Sequence, residues 1–169
     1  IPWYRMEDIR TNGRILYDAI QHIHPSGVKS SLYPANSLLM TTTATIGEYA
    51  LLMKPSLSNQ QMTNFSIKEG FQEILNIKFA FYYFHVFAVW CKKNANQSGG
   101  MPIITVAKLK PFSFPIPPLE VQAKIVSILD RFDTLTSDLT QGLPAEIAAR
   151  KKQYEYYRDK LLTFRRKGA

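Results

Sequence analysis

Few of the residues that usually carry catalysis or metal binding fall into a recognisable arrangement in this chain. His22 and His24 lie two residues apart, which is not the spacing of metal ligands on one helix face, and His85 lies inside an aromatic run. The single cysteine, Cys91, excludes an internal disulfide and a cysteine-based zinc cluster. A phosphate-binding glycine-rich loop, a G-x-S-x-G elbow and an Asn-Pro-Pro-Tyr-like methyltransferase motif are also missing from the sequence. We therefore expect no catalytic residue, no metal site and no cofactor in this chain.

Basic and amide side chains are the more informative residues, because they could bind nucleic acid. Residues 92–100 combine lysines, which suit phosphates and guanine edges, with asparagine and glutamine, which suit adenine edges. Three arginines near the N-terminus recur at spacings of five and four residues and could line an edge that faces a DNA groove. An ordinary solvated surface is the alternative for both groups. The candidate DNA-binding residues are Arg5, Arg10, Arg14, Lys92, Lys93, Asn94, Asn96 and Gln97.

The charge of the chain agrees with a polyanionic partner. The 169 residues carry a net charge of +8, and 46% of them are hydrophobic, which is typical of a globular protein. Residues 1–117 and 144–169 are each net basic, whereas residues 118–143 are net acidic. An acidic helix beside a basic helix is expected to pair by charge or to dock on a second protein.

The elements that must position these residues change in type along the chain. Residues 37–47, 49–53, 62–67 and 103–106 are rich in β-branched or alternating apolar residues and predict strands. Residues 73–92 predict a helix that is buried on nearly all faces, because its aromatic density is high. Its apolar run of 13 residues, 79–91, is shorter than the roughly 20 that a membrane span needs. Residues 1–117 therefore predict a mixed head.

A proline-rich strap, residues 111–118, separates this head from a helical region. Apolar residues after the strap recur at alternating spacings of four and three, which predicts a heptad seam on a first helix, and residues 145–166 predict a second helix. The predicted class is α+β, with a coiled-coil-like helical region after the head. The helices are expected to form a protein interface with Ile125, Phe132, Leu139, Tyr154 and Leu161 among its anchors.

Three segments in the second half of the chain resemble specificity subunits of type I restriction-modification enzymes. The sequence FPIPPLEVQAKIV, residues 114–126, is similar to the strap and helix start of that family. The sequences LPAEI and RKKQYEYYRDKLL, residues 143–147 and 150–162, resemble its conserved helical region. Shorter matches in the head follow the family's order: IPW, LLM, ATIG, NQ and GG.

This resemblance implies that residues 1–117 form a target recognition domain and residues 118–169 a helical spacer and dimerisation region. The head would read one half of a bipartite site in double-stranded DNA. The helices would dock methyltransferase subunits that carry S-adenosylmethionine, in a cytoplasmic complex that also holds a restriction subunit. The chain has one head and one helical region, so its counterpart would be a second recognition half or a second copy. The family also implies a further strand segment ahead of residue 1.

We therefore predict a DNA recognition module that is not itself catalytic. The first alternative is a protein-interaction scaffold whose aromatic head binds a peptide or small molecule. A self-contained nuclease or methyltransferase is a second alternative, which the missing motifs disfavour.

Overall fold

A computed structural model describes residues 1–97, 99–138 and 144–164 of the chain. These divide into two compact units. The head unit comprises Ile1–Gln72 and Phe84–Phe114, and the helical unit comprises Glu73–Tyr83 and the chain from Pro115 onward. The boundary in the second half of the chain thus falls in the strap, while residues 73–83, expected in the head, belong with the helices. Strands and helices are both present, which confirms the predicted α+β class.

The described part of the head unit contains short strands, three α-helical segments and a 3-10 helix at Pro25–Gly27. Helix α1 spans Met6–Asn12, helix α2 spans Ile77–Asn94 and continues from the helical unit, and α3 spans Val106–Leu109. The strands are β1 (Pro2–Tyr4), β2 (Ile15–Leu16), β3 (Gln21–His22), β4 (Ser37–Thr41), β5 (Tyr49–Leu52), β6 (Leu57–Ser58) and β7 (Met62–Phe65).

These strands form two sheets within the described residues. One has the order β3-β1-β6 and the other the order β2-β5-β4-β7. In the larger sheet β4 pairs antiparallel with β5 and β7, so that Met40 lies opposite both Tyr49 and Thr63. Every residue of β4 and β5 is buried, as expected for central strands covered on both faces.

The core of the head explains why α1 begins where it does. Asp8, although buried, is satisfied because its carboxylate accepts hydrogen bonds from the backbone N–H of Arg5 and of Ile20, each at 2.7 Å. The first bond caps α1, and the second ties it to the loop before β3. Tyr4 lies in the adjacent hydrophobic cluster, where burial, reinforced by Asp18 and Asp8, raises its pKa to about 12.

Helix α2 begins four residues later than predicted. Asn76 explains its start, because the side-chain oxygen accepts hydrogen bonds from the N–H groups of Lys78 (2.8 Å) and Phe79 (3.3 Å). Residues 73–74, predicted to be helical, form a turn instead. The helix extends to Asn94, beyond the predicted end at residue 92.

Two predicted strands are corrected by the structure. Residues 42–47 form a turn after β4, in which Ala44 has φ +66° and Gly47 has φ +88°. Ile103 makes only isolated bridges to Thr43 and Asn96, and α3 begins at Val106. The β-branched composition of both segments therefore indicates local extension and not continuous pairing, because tertiary context decides strand formation.

The helical unit contains α4 (Leu119–Asp138) and α5 (Pro144–Leu161). The buried face of α4 consists of Gln122, Ile125, Val126 and Leu129, whereas Val121 and Ile128 of the predicted seam are about two-fifths exposed. The stripe is rotated because Gln122 must face the strap and the residues before α2, as described below. No helix in the described part of the chain is long and apolar enough to cross a membrane.

Candidate nucleic-acid interface

The three arginines predicted to bind DNA each have a partner inside the head. The side chain of Arg5 pairs with Glu7 at 3.0 Å. Arg10 makes a bidentate ion pair with Glu48, with Nη2 to Oε1 at 2.6 Å and Nε to Oε2 at 3.1 Å. The Arg10 pKa is accordingly raised by the hydrogen bond and charge of Glu48. These side chains are thus oriented before any ligand arrives.

Arg14 lies against the first residue of β5. Its Nη1 donates a hydrogen bond of 2.9 Å to the hydroxyl of Tyr49, and its guanidinium carbon lies 5.5 Å from the centre of that ring. The Tyr49 ring packs edge-on against Phe84 of α2 at 5.8 Å. The position of Arg14 therefore depends on the packing of α2 onto the larger sheet.

Lys92 approaches the same segment from α2. A Cβ atom added to Gly47 would lie 3.0 Å from Lys92 Cε and 3.1 Å from Ala88 Cβ, so the turn and the helix are in close contact. Gly47 also has φ +88°, a conformation that favours glycine. Because Arg10 holds Glu48 and Arg14 holds Tyr49, the structure brings Arg10, Arg14 and Lys92 together around residues 47–49.

The predicted loop of residues 92–100 is more ordered than its composition suggests. Lys92, Lys93 and Asn94 form the last turn of α2, and the Asn94 side chain donates to the carbonyl of Trp90 at 2.8 Å. Asn96 pairs with Ile103 through two backbone hydrogen bonds of 2.8 and 3.0 Å. Its side chain, that of Gln97 and both lysines are exposed. Ser98 lies outside the described residues.

This end of the head carries an uninterrupted positive charge in sequence. From residue 84 to residue 114, the second stretch of the head unit, the chain contains lysines but no aspartate or glutamate. The acidic neighbour that the fold supplies, Glu48, is already paired with Arg10. We call residues 92–97, 99–110 and 47–49 together with Arg10 and Arg14 the basic edge. Such a concentration of one sign of charge attracts a polyanion.

Sequence reasoning missed the contribution of Glu48 and of residues 42–44 to this site. Thr42 accepts a hydrogen bond from Ile104 N–H at 3.0 Å, and Ala44 N–H donates to the carbonyl of Pro102 at 2.9 Å. These bonds hold the chain after α2 against the turn after β4. The chain separation exceeds 50 residues, so no local pattern could have indicated them.

The aromatic residues of α2 form a packed interior. Phe87 lies 5.1 Å from Phe84, 5.6 Å from Phe65 and 4.8 Å from Phe112, measured between ring centres, and Phe84 and Phe87 are buried. Edge-to-face packing of this kind stabilises a core. This arrangement does not favour the alternative of an aromatic ligand-binding head.

The structure also locates most of the predicted interface anchors. Ile125 is buried on α4, and Tyr154 and Leu161 are partly buried on α5. Phe132 stacks on Tyr157 with ring centres 5.7 Å apart and lies 6.1 Å from Tyr154. Phe132, Tyr154 and Tyr157 therefore pair α4 with α5 within the chain. Leu139 lies outside the described residues.

The described residues offer little to metal or nucleophile chemistry. Among them, no group of three or more His, Cys, Asp or Glu side chains could hold a metal ion. Cys91 is buried, and burial raises the pKa of its thiol to about 11, so this thiol is protonated at neutral pH.

The described residues thus form an α+β head with a basic edge, and a helical unit in which α4 packs against α5. Residues 1–149 match the family model described as the type I restriction modification DNA specificity domain, and the chain belongs to this family.

Curated relatives agree with this assignment. Over 98% of its length the chain is 46% identical to the type I restriction enzyme EcoprrI specificity subunit of Escherichia coli. Over 97% of its length it is 36% identical to the EcoR124I/EcoR124II specificity subunit of the same organism. It covers 43% and 41% of these two relatives, so the chain spans about two-fifths of their length.

Solved structures show the same fold. The HsdS subunit from Thermoanaerobacter tengcongensis matches 80% of this chain, with a TM-score of 0.55 and 19% identity. The match covers 31% of that subunit. A chain from a structure of a type I restriction-modification system matches with a TM-score of 0.57 and also 19% identity, over 80% of this chain and 32% of the other.

Proposed function

We propose that this chain reads one half of a bipartite sequence in double-stranded DNA for a type I restriction-modification complex. Residues 1–117 serve as the target recognition domain, and residues 118–169 serve as the helical spacer that docks partner subunits. The single observation that carries the proposal is the basic edge, in which Arg10, Arg14 and Lys92 meet around residues 47–49. Lysines and arginines neutralise phosphates and release counterions when they bind DNA.

The family to which the chain belongs supports a proposal for its partners. The helical unit would dock methyltransferase subunits, which bind S-adenosylmethionine and methylate adenine, and the complex would add a restriction subunit in the cytoplasm. The chain itself would supply recognition and no catalytic residue. A second head, from another half of the subunit or from a second copy of this chain, would read the other half-site.

The experiment that tests this proposal is sequencing of methylated adenines in cells that express the chain with modification subunits of its own system. Methylation at one defined split sequence, absent when the chain is omitted, is expected. A methylation pattern that does not depend on the chain would contradict the proposal.

Salt dependence separates DNA recognition from a scaffold that binds an apolar partner. If the head neutralises phosphates, the logarithm of its association constant for DNA falls linearly with the logarithm of the salt concentration. An apolar ligand would show no such loss. Binding of duplex DNA at several salt concentrations measures the slope directly.

Asn96 and Gln97 give a sharper test than the lysines, because neither carries charge. Both side chains are exposed beside the end of α2. If they read base edges, Asn96→Ala or Gln97→Ala should weaken binding to the target by about 1–3 kcal/mol and leave binding to random DNA nearly unchanged. Titration of both DNAs with each variant measures the difference.

Lys93→Ala is the matched control for this comparison. Because Lys93 is expected to neutralise a phosphate, its loss should weaken binding to both DNAs about equally. Equal losses for Asn96→Ala and Gln97→Ala on both DNAs would instead assign these residues to backbone positioning or to solvent.

A further inference from the structure

One exposed segment of the basic edge differs from the arginine and lysine contacts described above, because its exposed side chains are apolar. Residues 99–102 lie between the two members of the Asn96–Ile103 pair. Met101 in this segment is 53% exposed, and Ile103 and Val106 just after it are 41% and 62% exposed. Large apolar side chains are thus concentrated where the chain is otherwise basic and polar.

The base of the segment is fixed on both sides. Asn96 and Ile103 exchange two backbone hydrogen bonds, and Pro102 accepts a third from Ala44 at 2.9 Å. Ala44 has φ +66°, a left-handed conformation that costs a residue with a Cβ atom some strain. Such strain is retained where the surroundings impose it, and it is concentrated at functional sites. Here the strained Ala44 holds Pro102, the residue after Met101, through this hydrogen bond.

The two glycines of the segment have open space around them. A Cβ atom added to Gly99 or to Gly100 would meet no heavy atom within 4 Å. Gly100 has φ +74°, so a glycine suits the bend immediately before Met101. Met101 is therefore exposed between two open glycines and a fixed base, where it could contact a DNA groove; we call residues 99–102 the projection.

Charge complementarity identifies the occupant of this surface. Lys92 and Lys93 precede the projection, Lys108 and Lys110 follow it, and no acidic residue lies between them in the sequence. All four lysines are exposed. Duplex DNA is the partner that offers phosphates to such a surface together with apolar groups between them, because the C5-methyl group of thymine lines the major groove.

We propose that Met101 is a specificity-determining residue that contacts the methyl group of a thymine in the major groove. This inference rests on the proposed function and names the base contact that the function would use. A methionine suits the contact because its unbranched thioether side chain adapts to an apolar surface. The flanking lysines would bind the phosphates on either side and set the register of the projection on the duplex.

The test measures binding of the chain, in complex with modification subunits, to its preferred duplex and to an unrelated duplex of equal length. Met101→Ala is expected to weaken binding to the preferred duplex about tenfold, within the range for a direct base contact, and to leave the unrelated duplex unaffected. Ile20→Ala is the matched control, since Ile20 is 48% exposed in another part of the head, and it should change neither affinity.

Deoxyuridine makes the assignment specific to one methyl group. Replacing each thymine of the preferred duplex in turn with deoxyuridine should reveal one position where the wild-type protein loses about the same factor as Met101→Ala. On the duplex with deoxyuridine at that position, Met101→Ala should bind with the same affinity as the wild-type protein, because the contact is already absent.

Each other outcome has a distinct meaning. An unchanged affinity for Met101→Ala, or equal losses on both duplexes, would overturn the role of Met101 while the proposed function stands. Additive losses for the variant and deoxyuridine at every thymine would overturn the methyl contact. A wild-type complex that prefers no sequence would overturn the proposed function, and this inference with it.

Discussion

Replacing Gln122 with leucine is expected to destabilise the helical unit by about 2–4 kcal/mol, because several hydrogen bonds depend on this one buried amide. Its Nε2 donates to the carbonyls of Ile74 (2.8 Å) and Pro117 (2.7 Å), and its Oε1 accepts from Asn76 N–H (2.8 Å). The residue is 0% exposed. Leucine has a similar volume but pairs with none of these groups. Thermal unfolding followed by circular dichroism measures the loss.

Gln153→Leu is the control for this substitution. Gln153 is exposed on α5, so the same chemical change should alter stability by less than about 0.5 kcal/mol. Gln122→Glu provides a second comparison. It keeps the oxygen that accepts from Asn76 N–H but replaces the donor Nε2 with a second oxygen, which repels the carbonyls of Ile74 and Pro117. It should be at least as destabilising as leucine at neutral pH. Equal stability of Gln122→Leu and Gln153→Leu would contradict the structural role of the amide.

Replacing Phe132 with glutamate is expected to separate α4 from α5 and to abolish assembly with partner subunits. The ring stacks on Tyr157 and lies against Tyr154, and a carboxylate at this position would lose that packing and be partly desolvated. Truncation of a large aromatic residue in a core costs about 3–5 kcal/mol. Phe132 is only partly buried, so the loss of its packing is expected to cost less than this, and the added charge raises the cost. Pull-down of modification subunits and the helical signal in circular dichroism measure the two effects.

Ser127→Glu adds the same charge at an exposed position of α4 and should preserve both signals. The head is expected to remain folded in the Phe132→Glu variant, because its core cluster around Tyr4, Leu39 and Leu52 contains no residue of α4 or α5. Unchanged assembly of Phe132→Glu would rule out this helix pairing as the basis of the interface.

The features that were predictable from the sequence are those that depend on the spacing of residue types within a short stretch of chain. The alternating periodicity after the strap predicted α4, the separate helical pattern of residues 145–166 predicted α5, and short β-branched runs predicted β4, β5 and β7 within a few residues. The concentration of lysines and amides at residues 92–97 marked the exposed end of α2. Each of these signals is contained in fewer than about 20 consecutive residues, which a single sequence can reveal.

The features that could not be predicted join distant parts of the chain. Glu48 pairs with Arg10 across 38 residues, and Gln122 reaches Ile74 across 48. Gln122 was not part of the heptad pattern, yet it is buried on α4, whereas Val121 and Ile128 of that pattern are exposed in this chain. The pattern described the helix correctly but could not indicate this polar contact. The position of Met101 was not visible either, since it depends on the bond between Ala44 and Pro102.

The assignment of residues 73–83 to the helical unit has a consequence for recombination between relatives. Tyr82 donates to Asp130 and Asp133 at 2.7 and 3.0 Å, and Lys78 pairs with Asp130 at 2.7 Å, so this segment is matched to α4. Burial and these carboxylates raise the pKa of Tyr82 well above its usual range, which keeps its hydroxyl a donor. A chimera that exchanges residues 1–117 as a block would separate these partners. Crossovers that keep residues 73–83 and 115–138 from one parent would preserve them.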